Sequence, residues 1–233
     1  MELLENEVHV WYFNVDKFSN EIEFHKNFLS IEEKSKSKKF KFEKDRALNI
    51  LARSSLRILS SLYLDTSANA IEFKYGTYGK PDYNFKTNLK FNVSHSGKFV
   101  VLAFVKNSEI GVDVEKVKTD FDVLDIAENF FSDSEIEMLH KAKLDDLYKA
   151  FYRCWTRKES FIKAKGSGLS FPLASFTVSL NYKEAELLKT EWNPSEKEEW
   201  SLYSFEPAFG YIGALSVGAN ISKAIYRNWS GTI

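Results

Sequence analysis

Asp113 and Glu115 stand two residues apart in IGVDVEKV (110–117), where Ile110, Val112 and Val114 alternate with Gly111, Asp113 and Glu115. That alternation is the period of a half-buried strand, so both carboxylates project from one face, about 7 Å apart along it. Carboxylates held so close repel unless a cation lies between them, and hard oxygen ligands suit Mg²⁺ or Mn²⁺. The plain alternative is the solvated face of an amphipathic strand. Two acids alone do not choose between these readings.

A second group of charges lies in FYRCWTRKESFIKAKG (151–166). At about 100° per residue, Leu147, Phe151, Cys154, Trp155, Phe161 and Ile162 form one apolar stripe of a helix, and Lys158 falls inside it. An ammonium there requires a carboxylate or an anionic ligand to meet it. Glu159 and Lys163 sit at the edge of the stripe, one turn apart. Alone they read as an ordinary i,i+4 ion pair; beside a core-facing lysine they would also suit a metal-bound phosphate. The single cysteine, Cys154, cannot form an intramolecular disulfide and reads as a small buried side chain.

SHSGK (94–98) offers two hydroxyls, an imidazole, a glycine and free backbone amides, the makings of either a phosphate-binding turn or a polar hairpin turn. Ser94 and His95 do not read as a hydrolase pair, because no G-x-S-x-G elbow is present. Lys34, Lys36, Lys38, Lys39, Lys41 and Lys44 cluster in a stretch that reads as a solvated helix face.

The elements that must position these groups follow from pattern. Residues 8–14 read as a first strand and 45–63 as an apolar helix, with YGTYGKPDY after it as an irregular loop. LKFNV and FVVLAFV form a hairpin across SHSGK. Helical material fills about 121–165, capped near Ser132 or Asp133 and stopped by Gly166 and Gly168. SFTVSL, EEWSLYSF and YIGALSV then read as strands. KFNVSHSGKFVVLAFV and EWSLYSFEPAFGYIGALSV share a strand, a glycine turn and an apolar strand, which suggests two related halves.

With 233 residues, 44% of them apolar, and 20 Phe and 11 Tyr, the chain can bury a substantial core. Its 32 basic and 33 acidic residues nearly cancel, so no global charge points to nucleic acid. The amino terminus lacks a basic segment and a long apolar run, and no stretch of about 18 apolar residues could span a bilayer. The expected setting is the cytosol, away from membranes.

Taken together and in this order, FNVSHSGKFVVLAF, IGVDVEKV, FFSDSEIEML and FYRCWTRKESFIKAKGSGLSFPLASFTV resemble the surfactin-synthetase-activating type of 4′-phosphopantetheinyl transferase, from about Ser30 to Leu180. The resemblance implies an α+β fold of two similar α/β subdomains, a monomeric pseudo-dimer in which each mainly antiparallel sheet packs on helices. The halves would be 1–106 and 107–221, with the metal site at their interface and 222–233 a surface tail. By the same similarity Asp113, Glu115 and Glu159 would hold Mg²⁺, or Mn²⁺, against the pyrophosphate of coenzyme A. Lys163 would bind that pyrophosphate, and Ser94, His95, Lys36 and Lys80 the nucleotide end. Lys158 would be a phosphate or supporting partner, and Glu135 a further acidic position. Where many relatives carry an arginine this chain has Leu48, and Arg46 is the candidate to replace it. Catalysis would fall to Glu159, Lys163 and Asp113, and the acceptor would be a serine of an apo acyl or peptidyl carrier protein. The competing readings are a silent module that binds coenzyme A or a carrier, and a metal-dependent coenzyme A pyrophosphohydrolase.

Overall fold

A computed structural model describes residues 1–218 and 221–231. The amino-terminal half opens with strand β1 (Glu7–Asn14), followed by the short helices α1 (Ile22–Lys26) and α2 (Ile31–Ser37) and the long α3 (Glu43–Leu64). A small antiparallel pair, β2 (Phe73–Tyr75) and β3 (Pro81–Tyr83), then precedes the hairpin β4 (Leu89–Ser96) and β5 (Phe99–Lys106). The second half runs β6 (Ile110–Lys116), α4 (Val123–Phe130), α5 (Asp133–His140) and the long α6 (Leu147–Lys165). It continues through β7 (Phe176–Val178), β8 (Leu187–Thr190), β9 (Trp200–Phe205) and β10 (Tyr211–Gly218), and the chain closes with β11 (Lys223–Asn228).

The two halves share one plan. In each, a first strand is followed by a long helix and a hairpin, and the hairpin's second strand pairs antiparallel with the first strand. The sheet orders are accordingly β1-β5-β4 and β6-β10-β9, with α3 and α6 in matching places. The expected α+β architecture of two similar, mainly antiparallel halves is what the chain forms.

Three cores follow from strand alternation. Trp11, Phe13, Leu102 and Phe104 face α3 residues such as Leu51, Leu56 and Leu59. The opposite face of that sheet, Val8, Val10, Val101, Ala103 and Val105, packs on Ile110, Val112, Val114, Leu215 and Val217 of the second sheet. The remaining layer buries Phe151, Cys154, Phe161 and Ile162 of α6 with α4, α5, β7 and Ile212. With Ile110, Val112 and Val114 turned toward the first sheet, Gly111, Asp113 and Glu115 must face α6.

Two expectations need correction. YGTYGKPDY is the turn of a small hairpin, since Phe73, Lys74 and Tyr75 pair with Tyr83, Asp82 and Pro81. Residues 222–233 are no simple tail: β11 adds parallel to β1, and Trp229 is buried in the first core beside Phe13 and Phe18. The strand gains a ladder on β1, and the indole gains an aromatic pocket. The last two residues of that span lie outside the described residues.

Gly111 fixes how closely α6 approaches β6. A Cβ there would collide with the backbone of Ser160 and Ala164 and stand 3.0 Å from the carbonyl carbon of Lys163. Helix backbone cannot swing aside as a side chain can. Gly111→Ala is therefore expected to destabilise the fold by about 3 kcal/mol or more, read as a lowered urea midpoint.

Candidate active site

Asp113 and Glu115 face α6 across the gap that Gly111 sets, and Glu159 and Lys163 face back. Asp113 is almost fully buried. Its Oδ1 accepts Lys163 Nζ at 2.6 Å and Ser94 Oγ at 2.9 Å. Lys163 Nζ also donates to Ser94 Oγ at 3.1 Å and, weakly, to the Val112 carbonyl at 3.4 Å. Glu115 Oε2 accepts Ser96 Oγ at 2.6 Å. Burial raises the Glu115 pKa; the Ser96 hydrogen bond opposes this and the neighbouring Asp113 charge adds to it.

Glu159 is the most perturbed of these acids. Burial, then the charge of Asp113, with a smaller part from Glu115, outweighs Lys163 and pushes its carboxyl up to about 7. A carboxylate poised near neutrality in a cleft is what a general base requires. His95 points outward from β4, and its pKa is lowered by desolvation and then by Lys163.

The sequence expectation is three carboxylates around one ion. All three act on one another electrostatically. Yet among the described residues no group of three His, Cys, Asp or Glu side chains stands close enough to hold a metal ion. Asp113 Oδ1 carries the Lys163 ammonium, and Glu115 Oε2 the Ser96 hydroxyl. What fits a cation is the remainder. Asp113 Oδ2 and Glu159 Oε1 are both buried with no hydrogen-bond donor, and such bare acceptors are costly until something positive meets them.

Adjacent cavities of about 290 and 200 Å³ share Lys80, Pro81 and Gly166. The smaller reaches Asn92, Val93 and Lys163, so Lys163 links the cavity to the carboxylates. Lys80 lines both cavities, and its ammonium donates to Glu109 at 3.2 Å and to the Ala164 carbonyl at 2.9 Å, capping the end of α6. Desolvation lowers its pKa. Lys36 is exposed on α2, and Arg46 donates to the Phe40 carbonyl at 3.2 Å. Among the described residues, neither joins the bonds of Asp113 and Lys163 or the linings of the two cavities.

Lys158 corrects the sequence reading. It is fully buried, and its ammonium donates to Glu135 Oε2 at 2.8 Å, to the Leu173 carbonyl at 2.8 Å and to the Phe176 carbonyl at 2.5 Å. All three N–H groups are used, so it has no donor left for a phosphate. The anion demanded by its place in the apolar stripe is Glu135, also fully buried. Glu135 further accepts Ser132 N at 2.9 Å, as half of a capping box on α5, and Val178 N at 2.7 Å. Both residues belong to the packing of α5, α6 and β7.

Two residues of the site were missed. Asn92 Oδ1 accepts Val112 N at 3.0 Å, and Ser96 Oγ bonds Glu115 while accepting Lys116 N at 3.1 Å. With Ser94, they form a row of polar side chains at every second position of β4 that joins it to β6. The signal was the alternation in NVSHS, which places 92, 94 and 96 on one face.

Paired strand acids, a glutamate with a raised pKa and a facing lysine stand at the seam of two like halves, beside the cavity that Lys80 and Lys163 line. Residues 109–216 match the family profile described as 4′-phosphopantetheinyl transferase superfamily, and residues 16–107 match 4′-phosphopantetheinyl transferase, N-terminal. The 4′-phosphopantetheinyl transferase Sfp of Bacillus subtilis is 37% identical over 155 residues, 66% of this chain and 68% of that one. The chain belongs to the 4′-phosphopantetheinyl transferase family. The 4′-phosphopantetheinyl transferase HetI of Nostoc sp. is 29% identical over 220 residues, covering 93% of this chain and 90% of its own. Thermotoga maritima holo-[acyl-carrier-protein] synthase aligns with 47% of this chain and 62% of its own at 20% identity and a TM-score of 0.38.

Removing either partner of the Lys158–Glu135 pair strands a buried charge. Lys158→Ala is expected to cost about 3–5 kcal/mol of stability. The double variant Lys158→Met/Glu135→Leu removes the stranded charge but leaves Ser132 N and Val178 N without their acceptor, so it should recover part of that loss and bind coenzyme A like the wild type, as measured by denaturation and calorimetry; weakened coenzyme binding would return Lys158 to the site.

Proposed function

We propose that this chain transfers 4′-phosphopantetheine from coenzyme A to a serine of an apo acyl or peptidyl carrier protein, releasing adenosine 3′,5′-bisphosphate. The observation that carries the reading is Glu159. Its carboxyl is raised to about 7 beside the unpartnered Asp113 Oδ2, and Lys163 connects both to the cavity. Relatives named as 4′-phosphopantetheinyl transferases support the same reaction. Both sides of the seam come from one chain, which supports a monomer as the working unit.

Coenzyme A lies along the cavities past Lys80, its pyrophosphate at Lys163. Asp113, Glu115 and Glu159 would hold Mg²⁺ or Mn²⁺, and a bound cation neutralises charge that develops on the pyrophosphate. Lys163 exchanges its long contact to the Val112 carbonyl for a phosphate oxygen and stabilises the leaving group, while its bond to Asp113 keeps the side chain aimed. The serine oxygen attacks the β-phosphorus, and the bond from that phosphorus to the bridging oxygen breaks. The serine proton passes to Glu159 and from there to solvent. Exposed lysines at 36, 38, 39 and 41 favour approach of an acidic carrier.

Incubation with coenzyme A, Mg²⁺ and an apo carrier tests the reading. A gain of one phosphopantetheine on the carrier is expected. Nucleotide release without carrier would mean hydrolysis, and binding with neither would mean a silent module. Asp113→Ala and Glu159→Ala are each expected to lower transfer by on the order of 10²–10³-fold or more with the fold intact by circular dichroism.

The raised pKa also sets a pH dependence. Between about 4.5 and 7 the folded chain keeps a proton on Glu159 that the unfolded chain has released. Stability of the metal-free protein therefore falls as pH rises through that window. Denaturation across it should show the slope in the wild type, and Glu159→Gln should flatten it.

A further inference from the structure

We propose that Tyr211 is a positioning residue for transfer, its hydroxyl fixing the turn after β4 so that Ser94 and Ser96 hold Asp113 and Glu115 in place. The inference rests on the reading above that these carboxylates hold the cation. Tyr211 begins β10 and pairs with Lys116 at the end of β6, so it belongs to the second sheet. Its hydroxyl nevertheless crosses the seam and accepts the backbone N–H of Lys98 at 3.1 Å. The ring packs on Phe99 of β5, the centroids 4.7 Å apart.

The turn between these contacts is tightly seated. Gly97 adopts φ +56°, and a Cβ on it would lie 2.6 Å from the Tyr211 hydroxyl and 3.2 Å from Lys116 Cδ. Gly97 and Lys98 form a two-residue turn closed by the pairing of Ser96 with Phe99, and contacts from outside fix where that turn sits against the second sheet. From the first half Val15 N donates to the Lys98 carbonyl at 2.8 Å and Asp16 pairs with the Lys98 ammonium; Tyr211 is the hold from the second half. Beside the turn, Ser96 reaches Glu115 Oε2 at 2.6 Å and accepts Lys116 N at 3.1 Å. Two positions earlier on the same face, Ser94 reaches Asp113. Moving the turn by an ångström would break the Ser96 bonds first, because they lie closest to it, and would leave Glu115 without its donor.

Tyr211→Phe removes only the hydroxyl and keeps the ring in its packing, so the role can be tested in the full-length protein. The panel is Tyr211→Phe, Ser96→Ala, Ser96→Thr and the double variant Tyr211→Phe/Ser96→Ala. Mn²⁺ binding is measured calorimetrically without substrate, and the half-saturating Mg²⁺ in carrier modification, alongside the thermal midpoint. Tyr211→Phe is expected to weaken Mn²⁺ binding and raise the half-saturating Mg²⁺ by roughly five- to tenfold, the scale of one hydrogen bond, with the midpoint and the carrier KM unchanged. Ser96→Ala should match it, Ser96→Thr should restore the wild-type response, and the double variant should be no worse than Ser96→Ala, since both act through the same hydroxyl.

A Tyr211→Phe protein with the wild-type metal response, or effects of the two substitutions that multiply, overturns the role; so does a fall in the midpoint with no change in metal response. Wild-type protein that binds Mn²⁺ but leaves the carrier unmodified overturns the transfer reading and leaves the positioning role standing. Wild-type protein that transfers but binds Mn²⁺ no better than Tyr211→Phe overturns the positioning role alone.

Discussion

The structure depends on burying Asp113 at the edge where two sheets meet. A carboxylate with 3% of its surface exposed is costly to bury unless donors replace the water it loses. The donors come from both sides of the seam: the Ser94 hydroxyl from the first half, the Lys163 ammonium from the second. Each half lacks what the other supplies. This ties the register of β4 against β6 to the position of α6. The row Asn92, Ser94 and Ser96 holds that register with side chains, because β4 and β6 share no backbone ladder. Side-chain bonds of this kind leave the seam open enough for charged groups to line it.

The two lysines of α6 show how one helix serves packing and chemistry together. Lys158 and Lys163 are five residues apart, about 140° around the axis, so they point to different surroundings. One has its three N–H groups met by Glu135 and two carbonyls in the core. The other keeps a weak contact at 3.4 Å that a substrate oxygen can displace. The buried pair fixes α6 against α5 and β7. That rigid placement lets Glu159, next to Lys158 in sequence, sit in a desolvated spot without moving toward water.

How much of this was legible varies with the kind of signal. Alternation in IGVDVEKV gave the face of Asp113 and Glu115, and the angular position of Lys158 showed that an anion had to meet it. The identity of that anion was not readable, since Glu135 belongs to a separate helix and its capping role is the commoner use of a glutamate three residues after a serine. Family likeness drew Lys158 toward phosphate, where the geometry places it inside. The seam was harder still. NVSHS looks like any hairpin end until β6 lies beside it, and that neighbour is set by packing of the two sheets. β11 escaped for the same reason: KAIYRN is short and polar, and becomes a strand because β1 has a free edge and Phe13 and Phe18 receive Trp229.

The asymmetry of satisfaction around the site is what connects fold to function. Lys158, Glu135 and Ser94, all buried, have partners. Asp113 Oδ2 and Glu159 Oε1, equally enclosed, have none. Were the acids there for packing, Oδ2 would be expected to find a donor as Oδ1 does. Instead the chain spends its donors on one oxygen of Asp113 and leaves the other bare beside a glutamate whose pKa the same burial has raised. Such an arrangement costs stability in the free protein. That cost, concentrated at one point of the seam, sets these two oxygens apart from the satisfied groups around them.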